Sequence, residues 1–291
     1  MGRLPDFVVI GAMKSGTTSF AAYLDQHPQV AVSKPKEPNF FADPGNWDKG
    51  LEWYKSLFPG NVQVVGEASV FYTMMPEYGG AAERIRSTIP EVRLIYLVRD
   101  PIERMRSMFI HRADKHQGTG RSLAESIELQ PAYVEISRYG HQLEPYLELF
   151  GEEQILVLTT DELRTNPDAV LSRAFRHIGV DPAVRVPAEE LLNRGDEKKF
   201  LGDVGFSLAK AIHVTGVRKL LPAKTRLAIK HRFSRDFTED VLRLNEATEK
   251  RLRNILAPDM EVIRRLVVAS GADVPPWLRH QIDPLGSAST G

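Results

Sequence analysis

The sequence predicts an α/β fold of three layers, a central parallel sheet flanked by helices and opened by a P-loop-type turn. Three observations predict it. Short apolar runs at 6–10, 62–65, 92–98 and 154–159 alternate with longer stretches of helical period, the βαβ pattern of a sheet covered on both faces. The first run leads directly into GAMKSGTT (residues 11–18) and then into a helix-like stretch, the strand–turn–helix order of a phosphate cradle. Arg99 follows the third run directly, so both features fall at carboxyl ends of strands, where such sheets bind ligands.

In chain order, helices are expected near 16–26, 47–57, 79–88, 101–115, 121–129, 137–149 and 167–178. In the opening turn, Gly11 and Gly16 keep the glycine spacing of G-x-x-x-x-G-K-[ST], and Thr18 stands where a metal-binding hydroxyl would be. Thr17 occupies the usual Lys position, while Lys14 lies three residues earlier, inside the loop. The backbone cradle is kept and the cation moves toward the loop's mouth, where it faces the bond between a 5′-phosphate and whatever that phosphate carries. The N–H groups of residues 15–18 and the hydroxyls of Ser15, Thr17 and Thr18 are the candidate phosphate donors. The one strand that ends in Asp, Leu94 to Asp100, has Arg99 before it, which favours phosphate over magnesium. Pro101 suits the first turn of a helix, and residues 99 and 107 can share one side of that junction. The plain alternatives are an ordinary strand-to-helix turn, and an Arg99 that only pairs with Asp100 or Glu103.

Four stretches resemble the sulfotransferases that use 3′-phosphoadenosine 5′-phosphosulfate (PAPS), especially the branch of heparan sulfate sulfotransferases and bacterial relatives. They are FVVIGAMKSGTTSFAAYLDQHP (7–28), KPKEPNFFA (34–42), the segments GLEWYKSLFP (50–59) and GEASVFY (66–72), and LIYLVRDPIERMRSMF (94–109). The resemblance implies PAPS as co-substrate, adenosine 3′,5′-bisphosphate as product, and no metal. It implies Lys14 at the bridging oxygen, Ser15, Gly16, Thr17 and Thr18 around the 5′-phosphate, and Arg99 with Ser107 on the 3′-phosphate. An Arg fork suits that second phosphate. Glu37 becomes the candidate general base; two lysines surround it, favouring its charged form, and Phe40 and Phe41 can pack below it. Asn39 and Ala42 stand where relatives often carry His and Asp, and Glu67-Ala68-Ser69 stands where heparan-type enzymes read E-K-[ST]. A second cation is therefore missing at Ala68, and Lys34 and Lys36 are the nearest replacements. Glu67 is either an acceptor-site carboxylate or a buried helix-cap acceptor; Glu67, Phe40 and Lys36 are the candidate acceptor contacts.

The chain has 291 residues, with 38 Lys/Arg against 38 Asp/Glu and no Cys. Balanced charge argues against a general nucleic-acid binder, and the lack of Cys removes disulfides, thiolate metal sites and thiol catalysis. One domain over 1–284 is expected, with a core at 5–180 and a flexible tail at 285–291. Residues 185–235 hold 12 Lys/Arg against 5 Asp/Glu, interleaved with apolar residues. They read as a basic helical cover, a lid over an anionic donor, or (through 204–235) a peripheral membrane contact. Two closing helices are expected at 239–256 and 258–269, with Trp277 packing the end of the chain onto the body. The His residues show no ligand spacing, so no metal is expected. No apolar run is long enough to span a membrane, and no signal peptide precedes the first strand, so a cytoplasmic, bacterial enzyme is expected. The acceptor is expected to be a small molecule, glycan or glycolipid bearing a hydroxyl or amine. The competing functions are a P-loop kinase or NTPase of another class, and a non-catalytic nucleotide-binding protein.

Overall fold

The computed structural model describes residues 2–42, 44–114, 122–187, 199–201, 234–236 and 239–279. Five strands form one parallel sheet in the order β2-β3-β1-β4-β5: β1 Phe7–Gly11, β2 Val30–Val32, β3 Val64–Ala68, β4 Arg93–Val98 and β5 Ile155–Thr159. Helix α1 (Thr17–Leu24) joins β1 to β2, and α2 (Pro44–Trp47) and α3 (Gly50–Ser56) lead to β3. A 3-10 turn at Val70–Thr73 and α4 (Ala81–Thr88) lead to β4. Four helices precede β5: α5 (Pro101–Asp114), α6 (Leu123–Leu129), α7 (Ala132–Glu135) and α8 (Tyr139–Phe150). After β5 come α9 (Thr160–Thr165) and α10 (Pro167–Ile178). An antiparallel ribbon pairs β6 (Lys199–Leu201) with β7 (Ser234–Asp236). The described chain closes with α11 (Glu239–Leu242), α12 (Glu246–Ala269) and α13 (Pro276–Arg279).

The expected three layers are present. The central strands are near-continuous apolar runs because both faces of the sheet are covered. Val8, Ile10, Leu94, Tyr96 and Val157 pack on one side with α4, α8 and α12. Phe7, Val9, Ile95, Leu97 and Leu158 pack on the other with α1 and α10. The link from β1 to β2 runs through α1 on the second face, whereas α8, which leads from β4 to β5, covers the first. Adjacent strands β1 and β4 thus send the chain away in opposite directions, and the crevice at their carboxyl ends is the switch point where open α/β sheets bind ligands.

Three features depart from the sequence-based expectation. Strand β2 has three residues, too few for a pattern, and is held by the edge of β3 and by Asp25, whose carboxylate accepts from the Val32 N–H at 2.8 Å. The helix expected at 47–57 is two helices, because Gly50 turns left-handed (φ 78) where the second begins. The two closing helices are instead the short α11 and one continuous α12 that runs through Pro258. Pro258 removes an N–H and crowds the carbonyl of Asn254, but both residues lie on the exposed face, where water satisfies that carbonyl. Leu252, Leu256, Ile263 and Leu266 keep the opposite face buried. Most of the basic stretch 185–235, including nearly all of 204–235, lies outside the described residues, as does the tail 285–291. Trp277 does return the chain to the body, donating to Asp161 Oδ2 at 2.9 Å. His27 is a packing residue: it is buried, lies tilted against Phe175 and meets the Asp181 carbonyl at 3.0 Å. No helix among the described residues is long and apolar enough to cross a membrane.

Candidate active site

The candidate phosphate loop, residues 11–18, begins at the end of β1. The Ala12 N–H donates to Leu97 O of β4 at 2.7 Å, and the Ser15 N–H closes the turn on Ala12 O at 3.1 Å. Gly11 is required by contact, since a Cβ there would lie 2.1 Å from Thr73 Oγ1 and 2.9 Å from the Tyr96 ring. Gly16 is required by conformation: it caps α1 at φ 88, in the left-handed region. No side chain caps α1 and no acidic residue occupies its first turn, so its amides and positive dipole end are available to an anion. Lys14 adopts φ 70, and Thr18 is exposed at the loop's rim. The Thr160 hydroxyl lies 2.7 Å from Ser15 O and 3.1 Å from Val98 O, pinning the loop to the end of β4. Ser15 Oγ is buried without a hydrogen-bond partner of good geometry, beside the Tyr139 hydroxyl.

Arg99 leaves β4 next to this loop. It is half-exposed and pairs with Glu103 at 3.5 Å, one turn before Ser107 on α5. Glu103 also binds Arg106, so its hold on Arg99 is shared. Asp100 caps α5, accepting from the N–H groups of Ile102 (2.8 Å) and Glu103 (3.2 Å), and its other oxygen faces Arg253 of α12 at 3.3 Å. Tyr139 donates to Arg99 O at 3.0 Å. Burial pushes its hydroxyl up to about 12 despite the nearby Arg104 cation, so it remains a donor at any working pH.

The loop 33–42 rises beside the phosphate loop. The Ala68 N–H donates to Lys36 O at 3.2 Å, which ties Lys36 beside Ala68. Lys36 Nζ reaches Thr18 Oγ1 at 3.3 Å and Glu37 Oε1 at 2.7 Å. One ammonium thus joins the phosphate-loop rim to the candidate base, while Lys34 is exposed. Glu67 is neither exposed nor a backbone cap. It is fully buried and accepts from Tyr54 (2.6 Å), Tyr72 (2.8 Å) and Ser69. Burial raises its carboxyl to about 7; the three hydroxyls pull it down and the nearby Glu37 adds a little more. Phe40 is 1% exposed and stacks on Tyr54 with centroids 4.3 Å apart, so it supports the loop from the core and offers no face to an acceptor. Among the described residues, no group of acidic, His or Cys side chains could hold a metal ion.

A sulfotransferase-domain family model matches residues 4–198. The chain belongs to the sulfotransferase family. It is 25% identical, over 295 aligned residues, to the bifunctional heparan sulfate N-deacetylase/N-sulfotransferase 1 of Caenorhabditis elegans, covering 96% of this chain and 31% of that protein. It is 40% identical over 111 residues to the membrane-associated sulfotransferase kil1 of Dictyostelium discoideum, covering 36% of this chain and 22% of that one. The chain spans less than a third of the length of these relatives. The crystal structure of a sulfotransferase from Alicyclobacillus acidocaldarius shares the fold, with a TM-score of 0.63, 23% identity, and coverage of 95% of this chain and all of that one.

Several residues that support these loops were not singled out in the sequence. Arg104 is fully buried, with Nε on Ser137 Oγ (2.7 Å) and Nη2 on Tyr133 O (2.6 Å), locking α5 against α7. Its place in R-D-P-x-x-R was the available signal. Thr160, Tyr139 and the hydroxyls around Glu67 lie far along the chain from the residues they hold, and no local pattern marks them.

Proposed function

We propose that this sulfotransferase moves the sulfuryl group of PAPS to a hydroxyl or amine of an acceptor, by in-line transfer without a metal. The observation that carries the proposal is the meeting of two cationic elements at the ends of adjacent strands: the uncapped amides of α1 with Lys14 after β1, and Arg99 with Ser107 after β4. Two such elements after adjacent strands suit a nucleotide that carries a phosphate at each end. The open Gly16 cap fits a loop built for an anion.

In this reading the amides of residues 15–18, with Thr17 and Thr18, hold the 5′-phosphate. Lys14 supplies positive charge where the leaving oxygen gains negative charge, a contribution worth about 3–4 kcal/mol of barrier. Arg99 and Ser107 take the 3′-phosphate, Arg99 exchanging its shared pair with Glu103 for a stronger phosphate contact. Glu37 accepts the acceptor's proton, and Lys36 stands between it and Thr18, supplying the cation missing at Ala68. The named activity of the heparan-type relatives supports a saccharide acceptor. Cytoplasmic placement belongs to the same proposal.

The test is transfer of label from 35S-PAPS to a panel of desulfated glycosaminoglycan fragments, glycolipids and phenols, with and without chelator. Transfer that survives chelation supports the reading. ATP turnover with strict magnesium dependence would place the chain among P-loop kinases or NTPases. Bisphosphate binding with no transfer to any acceptor would mark a nucleotide-binding protein.

A further inference from the structure

We infer that buried Glu67 is a positioning residue: through the hydroxyls of Ser69 and Tyr72 it clamps the backbone of the loop that presents Glu37. The inference rests on the reading of Glu37 as general base.

The geometry is a two-step relay. Glu67, at the end of β3, accepts from Ser69 Oγ on one oxygen and from Tyr72 Oη (2.8 Å) and Tyr54 Oη (2.6 Å) on the other. Two of these hydroxyls also accept from the base loop: Ser69 Oγ from the Asn39 N–H at 3.0 Å, and Tyr72 Oη from the Phe41 N–H at 3.4 Å. A hydroxyl has one proton and two lone pairs, and a carboxylate can only accept. Ionised Glu67 therefore takes both protons and leaves the lone pairs facing the two loop amides. The hydrogen bonds point one way, from loop to hydroxyl to carboxylate, and each bond to the charge is the stronger kind.

The loop needs such a hold. Asn39 sits at φ 49, in the left-handed region, two residues after Glu37. Asn tolerates that conformation, but the surroundings must still select it. Arg84 of α4 adds a bond to Phe41 O at 2.7 Å, and Phe40 and Phe41 are anchored in the core. Residues 39–41 are thus fixed from beneath, while Glu37 above them is half-exposed and tied to Lys36. Tyr54 provides an internal comparison, because it donates to the same carboxylate but holds no loop amide.

Three conservative variants separate the relay from general packing: Ser69→Ala, Tyr72→Phe and Tyr54→Phe. Each removes one hydroxyl bound to Glu67, and only the first two cut a link to the loop. Two readouts are taken: amide hydrogen exchange of the peptide spanning residues 36–42, and sulfuryl transfer from PAPS to the best acceptor of the panel, with adenosine 3′,5′-bisphosphate affinity measured in parallel. The inference expects Ser69→Ala and Tyr72→Phe to speed exchange in that peptide and to lower kcat by roughly ten- to hundredfold, the range that a small misplacement of a reacting group can cost. Bisphosphate affinity should stay within about twofold, and Tyr54→Phe should leave exchange in that peptide near its original rate. Exchange and kcat unchanged in both relay variants, or equal effects from all three variants, would overturn it. Glu37→Gln is assayed alongside. If Glu37→Gln is inactive while the relay variants are not, the base stands and the clamp falls. If Glu37→Gln turns over normally, the base assignment falls and the inference goes with it.

Discussion

Lys14 is a non-glycine residue at φ 70, a conformation costing roughly 1–2 kcal/mol that the surrounding turn must hold. The cost is understandable if the loop has to aim an ammonium across its own mouth. Lys14→Ala should lower kcat by about two to three orders of magnitude, the range for loss of one charge-stabilising donor. A drop confined to donor KM would instead make Lys14 a binding residue. Glu67 gives a second residue-level test. Its carboxyl is raised from 4.5 to about 7, mainly by burial. Between those values the folded protein keeps a proton that the unfolded chain has lost. Its stabilising contribution is therefore complete below the lower value and fades as pH rises through about 7. The shift corresponds to roughly 3 kcal/mol, at about 1.4 kcal/mol per pH unit. Glu67→Gln should flatten the decline in Tm between about pH 5 and pH 8; parallel Tm curves for the two proteins would contradict the burial argument.

The elements were easier to read than their contacts. Four of the five sheet strands and most helices showed in the sequence, because long apolar runs and helical period are local signals. Strand β2 did not, since Val-Ala-Val is too short to carry a period. Pro258 misled because its helix tolerates a proline only where the freed carbonyl faces water, a fact of tertiary placement. At the site, Lys14, Glu37 and Arg99 stood out by motif. The bridge from Lys36 to Thr18 and the three hydroxyls on Glu67 did not, because they join residues on different elements. The junction of β4 and α5 has its own prediction. Arg99→Ala should weaken PAPS much more than adenosine 5′-phosphosulfate, which lacks the 3′-phosphate, when both are measured calorimetrically. Equal weakening would make Arg99 structural. Thr160→Val, at the start of α9, should cost about 1–2 kcal/mol of stability by removing the one proton that the hydroxyl gives to Ser15 O, its nearer acceptor. It should also weaken binding of the 5′-phosphate, and unaltered binding would mean the loop holds its shape without the tether.

Across the whole molecule, the parallel sheet brings three distant stretches of chain to one edge. Residues 12–18, 33–42 and 99–107 meet there because β1 lies between β3 and β4, and the helices of α/β crossovers leave the carboxyl ends open. Two aromatic-rich cores cover the faces, so the edge is a rigid platform and the chemistry depends on what its loops hold. The central claim is that this edge clasps both ends of one doubly phosphorylated nucleoside. The most direct measurement is a crystal structure with adenosine 3′,5′-bisphosphate bound. The account predicts the 5′-phosphate on the amides of residues 15–18 beside Lys14, and the 3′-phosphate on Arg99 and Ser107. A nucleotide seated elsewhere, or one held at the loop with its 3′-phosphate away from Arg99, would contradict it.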